Sequence, residues 1–129
     1  MFLQLFKSIL DAVERAKAYV NAGADAIMIH SKSKSAKEVF NFCNLFRDFD
    51  KKTPIVVVST TYNDVTEEEF ASTGVNIVIY ANQLTRAAYF AMKKVAESIL
   101  KNSRTFEIEK ELSDINKIIR LVEPLDIQL

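Results

Sequence analysis

The sequence predicts an α/β fold built on a parallel sheet. Three observations point there. Short, nearly continuous apolar runs alternate with stretches of helical periodicity. The runs, at Ala24–Ile29, Ile55–Val58 and Val75–Tyr80, fit strands buried on both faces. Strands that alternate with helices imply βαβ crossovers, which join parallel strands.

The elements follow in order. Ile9, Val13, Ala16 and Val20 recur at helical spacing over Ser8–Asn21, with Asp11, Glu14, Arg15 and Lys17 free to face water. Gly23 is the expected stop, because glycine accepts the left-handed conformation that ends a helix. The first strand closes at His30. After the loop Ser31–Lys34, Ser35 and Glu38 have the spacing of a capping box for a second helix, whose apolar face is Val39, Phe42, Cys43, Phe46 and Phe49. Pro54 opens the second strand, almost entirely β-branched. Thr66 and Glu69 form another capping box, for a short helix that Gly74 closes. The third strand precedes a long helix over Leu84–Lys101, with Leu84, Ala87, Ala88, Ala91, Val95 and Ile99 expected inward. A last helix carries Leu112, Ile115, Ile118, Ile119 and Val122 on one stripe before Pro124. The stretches Gly23–Ile29 and Gly74–Tyr80 echo one another as helix stop followed by strand, a pattern common to βα repeats.

Composition narrows the function. Seventeen Lys and Arg balance seventeen Asp and Glu in 129 residues, which argues against a dedicated nucleic-acid binder. The length allows one domain, 1–129. A complete eight-stranded α/β barrel takes about 250 residues, so a barrel pattern in this chain would be incomplete. One cysteine excludes an internal disulfide and fits a reducing cytoplasm. The apolar start, Met1–Leu10, is too short for a membrane span and is interrupted by Gln4 and Lys7. Two glycines leave no room for a Walker loop or a dinucleotide fingerprint.

In βα folds, chemistry sits at the carboxyl ends of the strands. The candidates there are His30 and Ser31, then Ser59–Tyr62, then Asn82 and Gln83. His30 could donate to an anionic substrate or could be a structural histidine bonded to a carbonyl. Lys32 and Lys34 could trap an anion or simply solvate a loop. Asn82 could bind ligand or cap the helix that follows. Cys43 reads as inert core. Glu67–Glu69 read as carboxylates favoured by a helix dipole.

The segment Leu10–Tyr19 followed by Ala22–Lys32 resembles the phosphoenolpyruvate mutases of the isocitrate lyase superfamily. Ala22–Ile27 is common to the superfamily, whereas a strand ending in His30-Ser31-Lys32 is narrower, looking like the mutases and the related phosphonopyruvate hydrolases. The likeness runs on through Pro54–Val58 with Thr60 and Tyr62, Gly74–Asn82, and Arg86-Ala87, covering about Leu10–Val122. It implies a partial (α/β)8 barrel, with this chain supplying the last three parallel strands, their helices and the C-terminal helices. It also implies a Mg2+-dependent isomerase interconverting phosphoenolpyruvate and phosphonopyruvate in phosphonate biosynthesis, from a family of oligomers that exchange the helix after the last strand. His30 matches the histidine that contacts the transferring phosphoryl group; Ser31, Thr60 and Asn82 fall at positions lining the substrate pocket.

Ser59 stands where that family commonly has proline, and Gln83 where it often has histidine. The family's metal-binding aspartates, gating loop and an arginine-bearing strand lie upstream of the matching region, and Met1–Ile9 does not match that strand. The Mg2+ ligands are therefore expected to be absent from this chain, and the chain alone is expected to be inactive, since catalytic groups that act together fail together. Open sheet edges are expected to make it a homo-oligomer or the mate of a complementary N-terminal half. A hydrolase-like fragment and a non-catalytic module pairing with a longer homologue are the alternatives.

Overall fold

Four parallel strands in the order β1-β2-β3-β4 form the sheet of the computed structural model, which describes residues 2–4 and 8–121. The three strands expected from the apolar runs are β2 (Ile27–His30), β3 (Ile55–Val58) and β4 (Ile77–Ile79). A short β1 (Phe2–Gln4) joins them, pairing Leu3 with Ile29. β3 matches its apolar run, whereas β2 and β4 start later than theirs, because Ala24 and Val75 spend their N–H groups on the preceding turns. Between strands lie α1 (Ile9–Asn21), α2 (Lys37–Phe49) and α3 (Glu67–Ser72). The chain divides into two compact units, residues 1–83 and 84–129.

In the first unit one face of the sheet is covered. Side chains alternate along a strand, and Ile27, Ile29, Ile55 and Val57 are fully buried in one cluster with Ala12, Val13 and Ala16 of α1 and Val39, Phe42, Cys43 and Phe46 of α2. The register sets Ile27 beside Ile55 and Ile29 beside Val57, so both strands present this row to the helices. Met28, His30, Val58 and Ile79 belong to the opposite row and are half-buried, Val56 in the same row is 8% exposed, and Ile77 at the β4 edge is exposed. A closed barrel would enclose that row.

Local signals explain most helix ends. The Ser8 hydroxyl accepts from the Asp11 N–H at 3.1 Å and caps α1. Gly23 follows with φ +93°, the left-handed conformation expected of a stop. The Thr66–Glu69 capping box is formed in both directions. The Ser35–Glu38 box is not. Ala36 precedes α2 with no side-chain cap, because Glu38 turns back to Ser31 and the Ser35 hydroxyl accepts from Lys37.

Arg47 fastens the amino ends of β3 and β4. Its guanidinium donates to the carbonyls of Asp50, Thr53 and Gly74 and to Asn76 Oδ1, which also accepts from the Ile55 N–H. Gly74 lies against it at φ +86°, where an added Cβ would stand 2.7 Å from Arg47 Nε.

The second unit is helical: α4 (Gln83–Asn102, its first residue in the first unit), a 3-10 turn at Glu109–Glu111, and α5 (Ile115–Arg120). The continuous stripe expected from Leu112 onward is divided. Asp114 caps α5 by accepting from the Asn116 N–H, which leaves Leu112 outside the helix; Val122 lies outside the described residues. The inward face expected of α4 is also corrected. No residue of α4 is buried, and Leu84 is 88% exposed. Lys94 pairs with Glu111 across this unit.

Two substitutions test this account. Ser8→Ala should lower unfolding free energy by about 1 kcal/mol, the usual value of an N-cap. Gly74→Ala should cost more than Gly23→Ala in thermal denaturation: both residues have positive φ, but only Gly74 meets a neighbour, whereas nothing lies within 4 Å at Gly23.

Candidate functional site

The carboxyl ends of β2, β3 and β4 bring the expected site residues to one rim. His30 is the last residue of β2, Thr60 lies two residues beyond β3, and Asn82 three beyond β4. Parallel pairing carries all three strand ends the same way, so the side chains gather although the residues are widely separated in sequence. Asn82 Nδ2 donates to Thr60 Oγ1 at 3.5 Å, the outer limit of a hydrogen bond, and Thr61 Oγ1 donates to the Ser31 carbonyl at 3.3 Å. These two bonds tie the β3 loop to its neighbours on both sides.

The rim residues differ in what remains available. His30 is half-buried, its ring centroid 6.4 Å from that of Tyr62. Asn82 Oδ1 is buried without a hydrogen-bond partner, so Asn82 does not cap α4 and holds an acceptor in reserve. Ser31 is 1% exposed. Its hydroxyl donates to Glu38 Oε2 at 2.5 Å and accepts from the Ser33 N–H, which commits it within the protein. Lys32 and Lys34 stand exposed on the loop. At the β4 end, the Tyr80 hydroxyl donates to Glu67.

Tyr62 closes the Ser59–Tyr62 segment expected at the end of the second strand. It is fully buried, edge-on to Phe70 at 5.9 Å, and its hydroxyl has no partner. Burial pushes the phenol up to about 12. Tyr62 is the aromatic residue of this otherwise small and polar segment. Cys43, expected to be inert core, is buried, and desolvation raises its thiol to about 11.

Comparison with known proteins shows the family of the chain. A family profile described as phosphoenolpyruvate phosphomutase matches residues 1–100. The chain belongs to the phosphoenolpyruvate phosphomutase family. Within it, the chain is 35% identical over 111 residues to the phosphoenolpyruvate phosphomutase of Tetrahymena pyriformis, covering 86% of this chain and 36% of that protein. It is 38% identical over 112 residues to the phosphonopyruvate hydrolase of Variovorax sp. (strain Pal2), covering 86% of this chain and 38% of the relative. Among solved structures, the phosphoenolpyruvate phosphomutase from Streptomyces platensis subsp. rosaceus superposes with a TM-score of 0.82 at 36% identity, over 88% of this chain and 39% of that one. A phosphonopyruvate hydrolase solved with oxalate and Mg2+ superposes at 0.78 with 37% identity, over 88% of this chain and 40% of that one. The chain thus spans well under half the length of these phosphomutase-family relatives, and its fold is a part of their α/β barrel.

The rim does not fit a Mg2+ site. Mg2+ takes an octahedron of hard oxygens, usually with one or two carboxylates. The rim offers an imidazole, a hydroxyl and a carboxamide, and no cluster of three or more acidic, His or Cys residues is gathered among the described residues.

The buried phenol and thiol predict an alkaline limit to stability. Both groups hold their protons more tightly in the folded chain, rising from 10.0 to about 12 for Tyr62 and from 9.0 to about 11 for Cys43. This stabilisation is complete below pH 9 and is lost as the pH climbs from there through about 12. Melting temperatures measured between pH 7 and 11 should fall, and Tyr62→Phe with Cys43→Ala should flatten that fall.

Proposed function

We propose that this chain supplies the phosphoryl-facing sector of an active site that interconverts phosphoenolpyruvate and phosphonopyruvate. The observation that carries the reading is the convergence of His30, Thr60 and Asn82 at the ends of three adjacent parallel strands. In such a site negative charge spreads over the phosphoryl oxygens and the pyruvyl enolate, and catalysis consists largely of fixed donors aimed at those atoms. His30 donates from its imidazole to a phosphoryl oxygen. Asn82 and Thr60 line the pocket beside it, with the Asn82 carboxamide orienting the substrate. Ser31 contributes through its backbone position, since its hydroxyl is held by Glu38.

The Mg2+ of the family would then be held by residues outside this chain. The half-open apolar row Met28, Val58, Ile77 and Ile79 is covered in the working enzyme by a complementary barrel segment, with a homo-oligomer as the assembled state. No described helix is long and apolar enough to cross a membrane, and the proposed site of action is the cytoplasm. A hydrolase, which would release pyruvate and phosphate, is the second reading, favoured by the 38% identity to the Variovorax enzyme.

Phosphorus NMR with phosphonopyruvate and Mg2+ tests both readings. The chain alone should leave the spectrum unchanged. Mixed with the segment of the Streptomyces platensis phosphomutase that it does not span, it should produce phosphoenolpyruvate, or free phosphate if the hydrolase reading holds. His30→Ala should slow that mixture about 100-fold, as expected for loss of one preorganised donor. Turnover by the chain alone would overturn the incomplete-site reading, and a complex that forms but is inert would overturn the reading of the rim.

A further inference from the structure

We propose that Glu38, acting through Ser31, and Tyr62 are positioning residues that together fix the His30 imidazole at the rim. The purpose assigned to this brace rests on the functional reading above, but its geometry does not. Glu38 has the spacing of a helix cap and is not used as one. Its carboxylate accepts from Ser31 Oγ at 2.5 Å, seven residues back and immediately after the histidine. A charge-assisted O–H···O bond of this length is among the stronger side-chain interactions available. Glu38 also lies in the first turn of α2, where a carboxylate is favoured by the helix dipole.

The carbonyl of the same serine is held from the other side. Thr61 Oγ1 donates to Ser31 O at 3.3 Å, and Ser31 Oγ accepts from the Ser33 N–H at 3.0 Å. Residue 31 is therefore fixed at its hydroxyl and at its carbonyl, by α2, by the β3 loop and by its own loop. The strand cannot twist at His30 without breaking at least one of these bonds.

Tyr62 restrains the ring itself. Its ring lies 6.4 Å from that of His30 at an interplanar angle of 41°, and Phe70 backs it edge-on at 5.9 Å. Phe70 in turn meets Phe40 of α2 at 5.8 Å. The imidazole thus rests on an aromatic chain that leads back into the core. The Tyr62 hydroxyl has no partner, so its ring and not its oxygen does the positioning.

His30 is the only histidine in the sequence, so its Cε1–H proton gives a single assignable NMR signal. Glu38→Ala and Ser31→Ala should each shift and broaden that signal, and the double variant should shift it no further than either single one, because both remove the same bond. Glu38→Gln keeps an acceptor and should restore the wild-type position. Tyr62→Leu should move the signal, whereas Tyr62→Phe should not. Ser8→Ala, which weakens α1 elsewhere, should lower the melting temperature and leave the signal in place. Additive shifts for Glu38 and Ser31, or an unmoved signal in the two alanine variants and Tyr62→Leu, would overturn the brace. Phosphonopyruvate added to the reconstituted mixture reads the functional proposal separately: a silent His30 signal there, beside shifted signals in the brace variants, retires the substrate and keeps the brace.

Discussion

The structure depends on the two-residue alternation of β2 and β3. Ile27, Ile29, Ile55 and Val57 have to meet α1 and α2, and four neighbouring side chains fully removed from water are worth several kcal/mol together. A slip of one residue would move this whole row to the open face and bring Met28 and His30 into the core. The same constraint that buries the isoleucines therefore delivers the histidine to the other side of the sheet. Core and site are two consequences of a single register.

The site is small because each rim group already has a duty within the fold. Ser31 is held by Glu38, Thr61 holds Ser31, and Thr60 holds Asn82. Facing a ligand stand the half-buried imidazole of His30, in ring contact with Tyr62, and the unpartnered Asn82 Oδ1. Such a rim can contact one side of a small anion. It cannot surround it, which agrees with a chain that spans 36% to 40% of its relatives.

Much of this was legible in the sequence. Apolar runs located β2, β3 and β4, and the residues following them located the rim, because parallel strands share a direction. The family likeness in His30-Ser31-Lys32 led to the relatives that the structure also resembles. Three features were not legible. The Ser35–Glu38 spacing matched a capping box, but a competing hydroxyl at Ser31 captured the carboxylate, and spacing alone cannot rank two acceptable donors. The helical period of α4 identified an apolar face without saying what covers it, and within its own unit nothing buries Leu84, Phe90 or Leu100. β1 escaped because three residues carry too little alternation to be distinguished from a loop.

Arg47 shows how unevenly a fold can distribute its demands on sequence. Three of the four groups that receive its guanidinium are main-chain carbonyls, at Asp50, Thr53 and Gly74, which every amino acid possesses. The turn that presents two of them is nonetheless set by a side chain, because the Asp50 carboxylate accepts from the Lys52 and Thr53 N–H groups and from the Thr53 hydroxyl. Arginine cannot be exchanged for lysine, whose single ammonium lacks the planar fork needed to reach separated acceptors. Gly74 is tied to it for the opposite reason, by the room that the arginine occupies. Mutational tolerance at this end of the sheet should thus be lowest at one long side chain and one missing side chain, which can change only together.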